Sequence, residues 1–550
     1  MASTGRTIDG PIASTPNAST RAASSQAPQL PVAPLTPGLR ALVTVAVMLA
    51  TLMEVLDTSI VNVAMPDMMG NMGATLSEIG WVSTGYIVAN VIVLPLTGWL
   101  SDFFGRKRYL TYSIILFTVA SFGCGISRTL PEIVLWRILQ GAGGAAFLST
   151  SQATLIEVYP PAKRGLAQAI FGIGVIMAPT LGPTLGGIIT DRYSWPWIFF
   201  INLPIGVLAG VLTMLYVPNS AAAGKKRAAD FLGIILLAIG LGCLQTVLEQ
   251  GESNDWFSDN FIVLLTIFAI SGLAAFVWWQ LHPKNASPAV NLRILANRNL
   301  AMGAMYAFIL GFALYGVVFV VPQFLQNVQR HTAEQTGWIL MPGGIASAFT
   351  MPIVGQLSNR VDRRYIIGAG MIIFLGSMYQ FQSRLTLTMP EQAMYWPLVL
   401  RGAGIGLQFV PLSLLALGTL QPRQVAEGAG IYNLFRQLGG SFGIALLATL
   451  VDRRMQFHDA RLSESISLYN PATQERLNQI QTGMAAHGMT PDAAQKAAYQ
   501  VINKLVQGQA AVLTYIDVFH TIAYVGFAGL VMLFFFKRVK AAPGGASAAH

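Results

Sequence analysis

Residues 53–66 read MEVLDTSIVNVAMP, and this stretch ends an apolar run that begins near Ala41. The whole run is long enough to cross a bilayer, which takes about 20 mostly apolar residues. It nevertheless carries Glu54 and Asp57, which share one helix face because they are three residues apart. A charge at membrane depth costs roughly 2.5–3.5 kcal/mol, so it usually faces an interior cavity and serves a function. We expect Asp57 to carry protons; the alternative is a structural carboxylate paired to an arginine.

The composition is that of an integral membrane protein. The chain has 550 residues, of which 53% are hydrophobic and 11% charged, whereas soluble domains carry about 25% charged residues. The net charge of +10 could indicate a nucleic-acid partner. Here, however, the basic residues fall in short loops between apolar runs, a pattern typical of membrane orientation. Cys124 and Cys243 lie inside apolar runs, and we expect no disulfide.

Fourteen apolar runs predict fourteen membrane spans, with both termini on one side. Basic clusters such as residues 106–108 and 163–164 favour a cytoplasmic location for that side, hence N-in and C-in. The first 38 residues are rich in Ser, Thr, Ala and Pro, so residues 1–38 are predicted to be a disordered cytoplasmic tail. Residues 538–550 are predicted to be a second cytoplasmic tail.

The sequence also repeats itself. Residues 98–107 (GWLSDFFGRK) end the second span, and residues 355–364 (GQLSNRVDRR) end the tenth. Each is followed two spans later by an intramembrane arginine beside glycines, Arg137 and Arg401. Many secondary transporters consist of such paired repeats with a site between them. The predicted domains are an N-terminal six-helix bundle (39–217), a linker with two inserted helices (218–298) and a C-terminal six-helix bundle (299–537).

The C-terminal bundle includes a long outer loop, residues 452–511, whose sequence looks helical and amphipathic. Loops of this length are usually either functional or disordered. The interpretation as a lid or docking surface and the interpretation as a tolerated surface insertion both stay open.

Five motifs, in order and on the appropriate spans, carry a family resemblance. They are LDTSIVNVAMP (56–66), GWLSDFFGRK (98–107), RILQG (137–141), APTLGPTLGG (178–187) and WIFFINLPIG (197–206). The chain resembles the fourteen-helix drug:proton antiporters of the major facilitator superfamily, the EmrB/QacA type. The resemblance implies an all-α integral membrane protein with the major facilitator fold, two six-helix bundles plus two inserted helices.

The resemblance assigns proton coupling to Asp57 and Arg137. Their depths agree, since Asp57 lies nine residues before Pro66 and Arg137 six after Pro131, roughly 13 Å and 9 Å along a helix. The alternative for Arg137 is a snorkelling or purely structural arginine. Glu54 departs from the family pattern, which has a neutral polar residue there. It is a second proton site, a contact for cationic substrates, or a buried protonated carboxyl.

The resemblance also implies a gate in the loop that contains Gly98, Asp102, Gly105 and Arg106. Asp102 precedes Arg106 by four residues, and charged partners at a helix end can lock one conformation. Asp102 is expected to pair across the inner face of the protein. Asn359 stands at the equivalent position of the second half, which weakens the matching lock there.

The fifth-span motif allows a kink and close helix packing, and the resemblance implies that it closes a leak path. Its residues are Pro179, Gly182, Pro183, Gly186 and Gly187. Other polar residues in or near spans are possible cavity residues: Asn62, Gln140, Gln323, Arg401 and Arg436. Asp517 and His520, near the outer end of the last span, are predicted to be interfacial rather than proton relays.

Several classes of site are missing from the sequence. It has no G-x-x-x-x-G-K-[ST] loop for ATP and no Cys/His set with metal spacing. We therefore expect no catalytic residues, no metal and no cofactor, with the proton gradient as the source of energy. Moving one charge through 100 mV supplies about 2.3 kcal/mol.

The sequence predicts proton-coupled efflux of hydrophobic or amphipathic drugs or toxic compounds across the cytoplasmic (inner) membrane, by alternating access. One alternative is a dedicated exporter of a metabolite, fatty acid or siderophore, and another is a non-transporting membrane scaffold or sensor. The expected partners are a small-molecule substrate, protons and membrane lipid. The EmrB likeness and the long loop add a possible periplasmic adaptor and outer-membrane channel. No nucleic acid is expected.

Overall fold

The computed structural model describes residues 36–218 and 229–537, apart from residues 286, 422, 423 and 468, together with the isolated residues 2 and 5. Nearly all of the predicted tail 1–38 and the whole of the predicted tail 538–550 lie outside these described residues. Within them, the secondary structure is helical and contains no strand.

The helices divide into an N-terminal half, an insert and a C-terminal half. The N-terminal half comprises α1 (Pro37–Met72), α2 (Leu76–Ile79), α3 (Trp81–Val93), α4 (Thr97–Phe104), α5 (Arg106–Ile126), α6 (Leu130–Val158), α7 (Arg164–Arg192), α8 (Trp197–Phe200) and α9 (Asn202–Tyr216). The insert comprises α10 (Phe231–Gln250) and α11 (Asn260–Leu281). The C-terminal half comprises α12 (Arg298–Gln323), α13 (Ala333–Leu357), α14 (Arg363–Arg384), α15 (Gln392–Leu417), α16 (Val425–Glu464), α17 (Pro471–Ala486) and α18 (Pro491–Met532).

Thirteen helical segments of the described chain are long and apolar enough to cross a membrane. The helix α6 is a fourteenth long helix, of 29 residues, and it is not among these thirteen segments. It contains a run of buried hydroxyl and amide side chains from Ser149 to Thr154. The predicted all-α class is thus confirmed for the described residues, and α6 carries part of the site described below.

The first helix begins and ends with clear backbone signals. Thr36 caps its N-terminus by accepting from the Leu39 N–H at 3.4 Å, and Pro37 occupies the first turn, where its missing N–H costs nothing. Gly73 ends it in a left-handed conformation with φ of 62°. The helix continues through Pro66 to Met72, and both Glu54 and Asp57 lie on it.

The insert is attached to both halves through α10. Gln250 donates to Thr84 of α3 at 2.9 Å, and Gln245 donates to Ser441 of α16 at 2.8 Å. The base of the insert is held by Asp230, which precedes α10. Its carboxylate accepts five hydrogen bonds, from Gly233 N–H (2.9 Å), Trp279 Nε1 (2.8 Å), Gln280 Nε2 (2.9 Å), Asn285 Nδ2 (2.8 Å) and Ala289 N–H (3.3 Å).

The predicted long loop 452–511 is helical, as its sequence suggested. The helix α16 has 40 residues and α18 has 42, so each is about 60 Å long at 1.5 Å per residue, twice the hydrocarbon thickness of a bilayer. Their ends, together with α17, form a helical appendage. At its base, Asp517 of α18 contacts His458 (2.9 Å) and Arg454 (3.4 Å) of α16.

The two halves repeat the same packing, which fixes the register of the repeat. Gly141 of α6 lies against the carbonyl of Tyr86, and Gly402 of α15 lies against the carbonyl of Gly343. Tyr86 and Gly343 are 257 residues apart, the same separation as in the repeated sequence motif. A second pair of glycines repeats this contact, Gly143 at Phe117 and Gly404 at Phe374.

This register corrects the sequence-based alignment of the two intramembrane arginines. Arg401 directly precedes its close-packed glycine, as Gln140 does in the first half, and Leu398 corresponds to Arg137. Sequence alone aligned the arginines because both are charges beside glycines. The backbone contact shows instead that Arg401 occupies the position of Gln140.

Candidate functional site

The centre of the N-terminal half is the carboxylate of Asp57, which α1 places against α6 and α9. It forms an ion pair with Arg137. Its other oxygen accepts from Gln140 Nε2 at 2.9 Å and from Asn202 Nδ2 at 3.1 Å. All four side chains are at most 4% exposed. The predicted meeting of Asp57 and Arg137 is therefore observed, within a shell of amides.

Arg137 has partners besides the carboxylate. Its Nε donates to the Val82 carbonyl at 3.0 Å, and its Nη1 donates to Gln140 Oε1 at 2.7 Å. The guanidinium also lies over the ring of Tyr86, 4.2 Å from the centroid, which is a cation–π contact. Arg137 can therefore stay hydrogen-bonded when Asp57 is neutralised.

Two members of this shell, Ser121 and Asn202, were not predicted as site residues. Ser121 Oγ accepts from Gln140 Nε2 and from Asn202 Nδ2, both at 3.0 Å. Asn202 is the one amide inside the apolar motif of residues 197–206, and that feature could have singled it out. Nothing in the local sequence distinguishes Ser121 from other span serines.

Glu54 lies on the same face of α1 but has a different environment. One oxygen accepts from Asn90 Nδ2 at 3.1 Å, and the other from the Leu148 N–H at 3.1 Å. The side chain is 3% exposed. Glu54 thus has two neutral donors where Asp57 has a cation. This is the arrangement expected for a buried carboxyl that takes up a proton, although its role remains a prediction.

The loop of residues 98–107, predicted to be a gate, lies where the two halves meet. Gly98 packs against Glu427 of α16, and a side chain there would come within 2.9 Å of the Glu427 Cα. Gly105 joins α4 to α5 with φ of 82°, a conformation that favours glycine. Arg106 forms its ion pair with Glu157 of α6, a residue the sequence analysis did not single out.

The Arg106 ion pair is internal to the N-terminal half. Arg106 and Glu157 belong to the same half, so this pair does not itself join the two halves. Asp102 is close enough to act on Arg106 electrostatically, and its pairing across the inner face stays a prediction. The backbone contact at Gly98, rather than the Arg106 pair, brings the loop against the other half.

The fifth-span motif packs directly on the helix that carries the carboxylates. Gly182 lies against Ser59 of α1, and a Cβ added at Gly186 would come within 3.0 Å of Ile60, whereas one added at Gly187 would make only an ordinary contact with Val63, at 3.9 Å. The helix α7 runs unbroken through both of its prolines, Pro179 and Pro183. A movement of α1 would therefore change the packing of this motif.

Of the predicted cavity residues, only Gln140 joins the Asp57 site. Asn62 is exposed on α1, and Gln323 is half-buried at the end of α12. Arg401 is 3% exposed, and its Nε and Nη1 have no hydrogen-bond partner. Arg436 is 1% exposed and makes one long bond, from Nη1 to Tyr315 Oη at 3.3 Å.

No cluster of three or more His, Cys, Asp or Glu side chains suited to a metal ion occurs in the described part of the chain. Both cysteines are free.

Comparison with known proteins gives consistent matches. The sequence profile of the Major Facilitator Superfamily matches residues 47–444. The multidrug export protein EmrB of Escherichia coli K12 is 34% identical over 509 residues, covering 92% of this chain and 98% of that protein. The fatty acid resistance protein FarB of Neisseria gonorrhoeae is 35% identical over 458 residues, covering 83% and 90%. The colistin resistance protein EmrB of Acinetobacter baumannii is 30% identical, covering 90% and 96%.

Solved structures support the fold. The human organic anion transporter MFSD10 superimposes with a TM-score of 0.55 at 13% identity, over 90% of this chain and 100% of that one. The proton:xylose symporter XylE superimposes with a TM-score of 0.54 at 13% identity, over 88% and 96%.

Proposed function

Because this chain belongs to the Major Facilitator Superfamily, as a multi-pass efflux permease of the EmrB type, we propose that it exchanges hydrophobic or amphipathic toxic compounds for protons by alternating access. Efflux of drugs or toxic compounds follows from its relatives. The proton coupling and the alternating access are our proposals. The observation that carries them is the buried ion pair between Asp57 of α1 and Arg137 of α6.

The pair supplies a way to couple a proton to a conformational change. In the closed, dry site Asp57 is held by Arg137, Gln140 and Asn202. When water reaches the site, a proton neutralises the carboxylate and weakens its attachment to Arg137. Arg137 keeps its bonds to the Val82 carbonyl and to Gln140. The helix α1 is then free to shift against α6, and closure in the other state releases the proton.

Glu54 extends this proposal by one carboxyl. It lies one helical turn from Asp57 with only neutral donors, so it can hold a second proton or, once deprotonated, attract a cationic substrate. The energy source is the proton gradient in place of a bound cofactor. One proton moved through 100 mV yields about 2.3 kcal/mol, enough for a concentration ratio of roughly fifty.

The appendage points to an additional partner. It lies on the face opposite to the one where α1 begins and α18 ends. With the N-in/C-in orientation that the basic loops favour, it faces outward from the cytoplasmic membrane. We propose that its helices receive a periplasmic adaptor that leads to an outer-membrane channel. Deleting 466–490 should abolish adaptor pull-down and leave transport in vesicles intact. Unchanged pull-down would contradict the docking role.

The central experiment measures substrate-triggered proton release from purified protein, wild type against Asp57→Asn, over a panel of lipophilic cations, neutral amphiphiles and fatty acids. Release with several compounds that disappears in the variant supports broad drug:proton exchange. Undiminished release in the variant would overturn the role of Asp57. Ser441→Ala, on the insert contact, is a control that leaves the site untouched.

A dedicated exporter of an amphipathic anion is the second candidate. The observation that favours it is the pair of buried cations in the C-terminal half, Arg401 and Arg436, neither of which forms an ion pair with a described residue. The name of the similar protein FarB, a fatty acid resistance protein, points in the same direction. Proton release with fatty acids alone, across the same panel, would select this candidate.

A further inference from the structure

The face where α1 begins and α18 ends, here called the termini face, carries a chain of buried amides that joins the two halves. We propose that Gln152, Gln168, Ser413 and Asn433 form an uncharged latch that holds the termini face closed during the transport cycle. The proposal rests on the alternating access proposed above, because a latch matters only if this face opens and closes.

The hydrogen bonds of the latch form one continuous chain. Asn433 Nδ2 donates to Gln152 Oε1 at 2.9 Å, and Gln152 Nε2 donates to Gln168 Oε1 at 3.0 Å. Ser413 Oγ donates its one proton to the same Gln168 oxygen at 3.1 Å, shared with the Val410 carbonyl at 2.9 Å. All four residues are 0% exposed. Two of the three bonds cross between the halves, so the halves cannot separate at this level without breaking both.

The latch follows the internal symmetry of the molecule. Gln152 lies on α6 and Ser413 on α15, and they are 261 residues apart, as are the close-packed glycines Gly141 and Gly402. Gln152 reaches α16 of the other half, and Ser413 reaches α7. The two crossing bonds are therefore related by exchange of the halves and lie on either side of the axis that relates them. When the two halves rock apart at the termini face, both bonds are stretched together.

Neighbouring contacts place the latch in a larger seal. Asn359 Nδ2, after α13, donates to the Ala162 carbonyl, before α7, at 3.0 Å. Gly165 and Gly355 bring the backbones of the same two helices together, with no room for a side chain on either. The latch lies deeper than these contacts, since its residues are about one helical turn or more further into α6, α7, α15 and α16.

The chemistry suits a latch that must open in every cycle. Amides and hydroxyls recover hydrogen bonds to water when the face opens, so each bond shifts the equilibrium only about fivefold. A buried ion pair would make the stability of the closed state depend on the difference between two much larger energies, the desolvation of the charges and their mutual attraction. The closed state also leaves Gln168 Nε2 and Asn433 Oδ1 without partners. Opening to water satisfies both atoms, which keeps the latch weak.

The test measures the conformation directly. Spin labels are placed at Lys163→Cys and Arg360→Cys, exposed positions on the two halves at the termini face, after Cys124 and Cys243 are replaced by alanine. Pulsed electron paramagnetic resonance in lipid nanodiscs then gives the populations of short and long distances. Gln152→Leu removes one crossing bond, the one from Asn433, so we expect the ratio of closed to open to fall about fivefold.

Matched variants keep the outcome interpretable. Ser413→Ala is a small change that removes one crossing bond and should shift the ratio about fivefold, even if Gln152→Leu does not fold. Ser441→Ala removes a similar buried bond, from Gln245, that joins the insert to one half. It should leave the distances unchanged.

A folded Ser413→Ala or Gln152→Leu protein with the wild-type distance distribution would overturn the latch, as would an equal shift in Ser441→Ala. The measurement needs neither substrate nor proton gradient. A failure of proton-coupled export with a shifted distance distribution would therefore refute the proposed function and leave the latch standing.

Discussion

Neutralising Asp57, Arg137 or both separates a functional ion pair from a structural one. Arg137→Gln leaves the Asp57 carboxylate buried with two neutral donors, Gln140 and Asn202. Removing one partner of a buried pair typically costs about 3–5 kcal/mol. Because those two donors remain, we expect a loss near the lower end, about 3 kcal/mol in the free energy of unfolding.

Asp57→Asn should cost less than Arg137→Gln. The guanidinium keeps the Val82 carbonyl, Gln140 Oε1 and the face of Tyr86 after the carboxylate is gone. We expect a loss of about 2 kcal/mol, because a charged group in place keeps its charge-assisted hydrogen bonds. The double variant removes both charges, and replacing a whole buried pair is often close to neutral. Its stability should therefore lie within about 1 kcal/mol of the wild type.

The assay pairs stability with transport for all four proteins. Equilibrium unfolding in mixed micelles gives a coupling energy from the double-mutant cycle, and we expect about 4 kcal/mol. Proton release with substrate gives the function. The double variant should be stable and inactive. A stable double variant that still couples protons to export would refute the reasoning, because the pair would then serve only the fold. Additive losses of stability would refute the energetic coupling.

Three further predictions concern other parts of the molecule. Asp230→Asn turns an NH2 donor towards at least two other donors and should lower the free energy of unfolding by about 3 kcal/mol, measured by thermal unfolding in detergent. Burial alone would raise the pKa of Asp230, but hydrogen bonds led by Trp279 hold that pKa below its usual value. The stabilisation by Asp230 is therefore complete above about pH 5 and declines as the pH falls through the lowered pKa. Arg401→Gln installs the amide that the first half has there and removes an unpaired cation, so the melting temperature should rise; a lower melting temperature would show that the cation has a partner. Gly182→Ala collides with Ser59 and should slow export. The matched Gly187→Ala meets only an ordinary contact with Val63 and should change the rate less than about twofold; equal effects would contradict the role of the Gly182 contact.

The sequence was sufficient for the class of protein and for its most important ion pair. Apolar runs of span length specify membrane helices, because every backbone polar group must be satisfied inside the segment. A carboxylate or guanidinium within such a run needs a partner at the same depth, and counting residues from Pro66 and Pro131 placed Asp57 and Arg137 at matching depths. These features depend on composition and helix rise, which are local properties of the chain.

Only the tertiary structure decided which side chains complete each site. Glu157 forms an ion pair with Arg106, and Ser121 and Asn202 complete the shell around Asp57. Arg401 takes the place of Gln140 because backbone contact, not residue type, sets the register of the repeat. Lateral contacts between helices depend on rotation about each helix axis and on which neighbour each face meets, and a pattern along one chain does not specify either. Span and depth are therefore readable from the sequence, whereas partnership across the bundle is a property of the packed molecule.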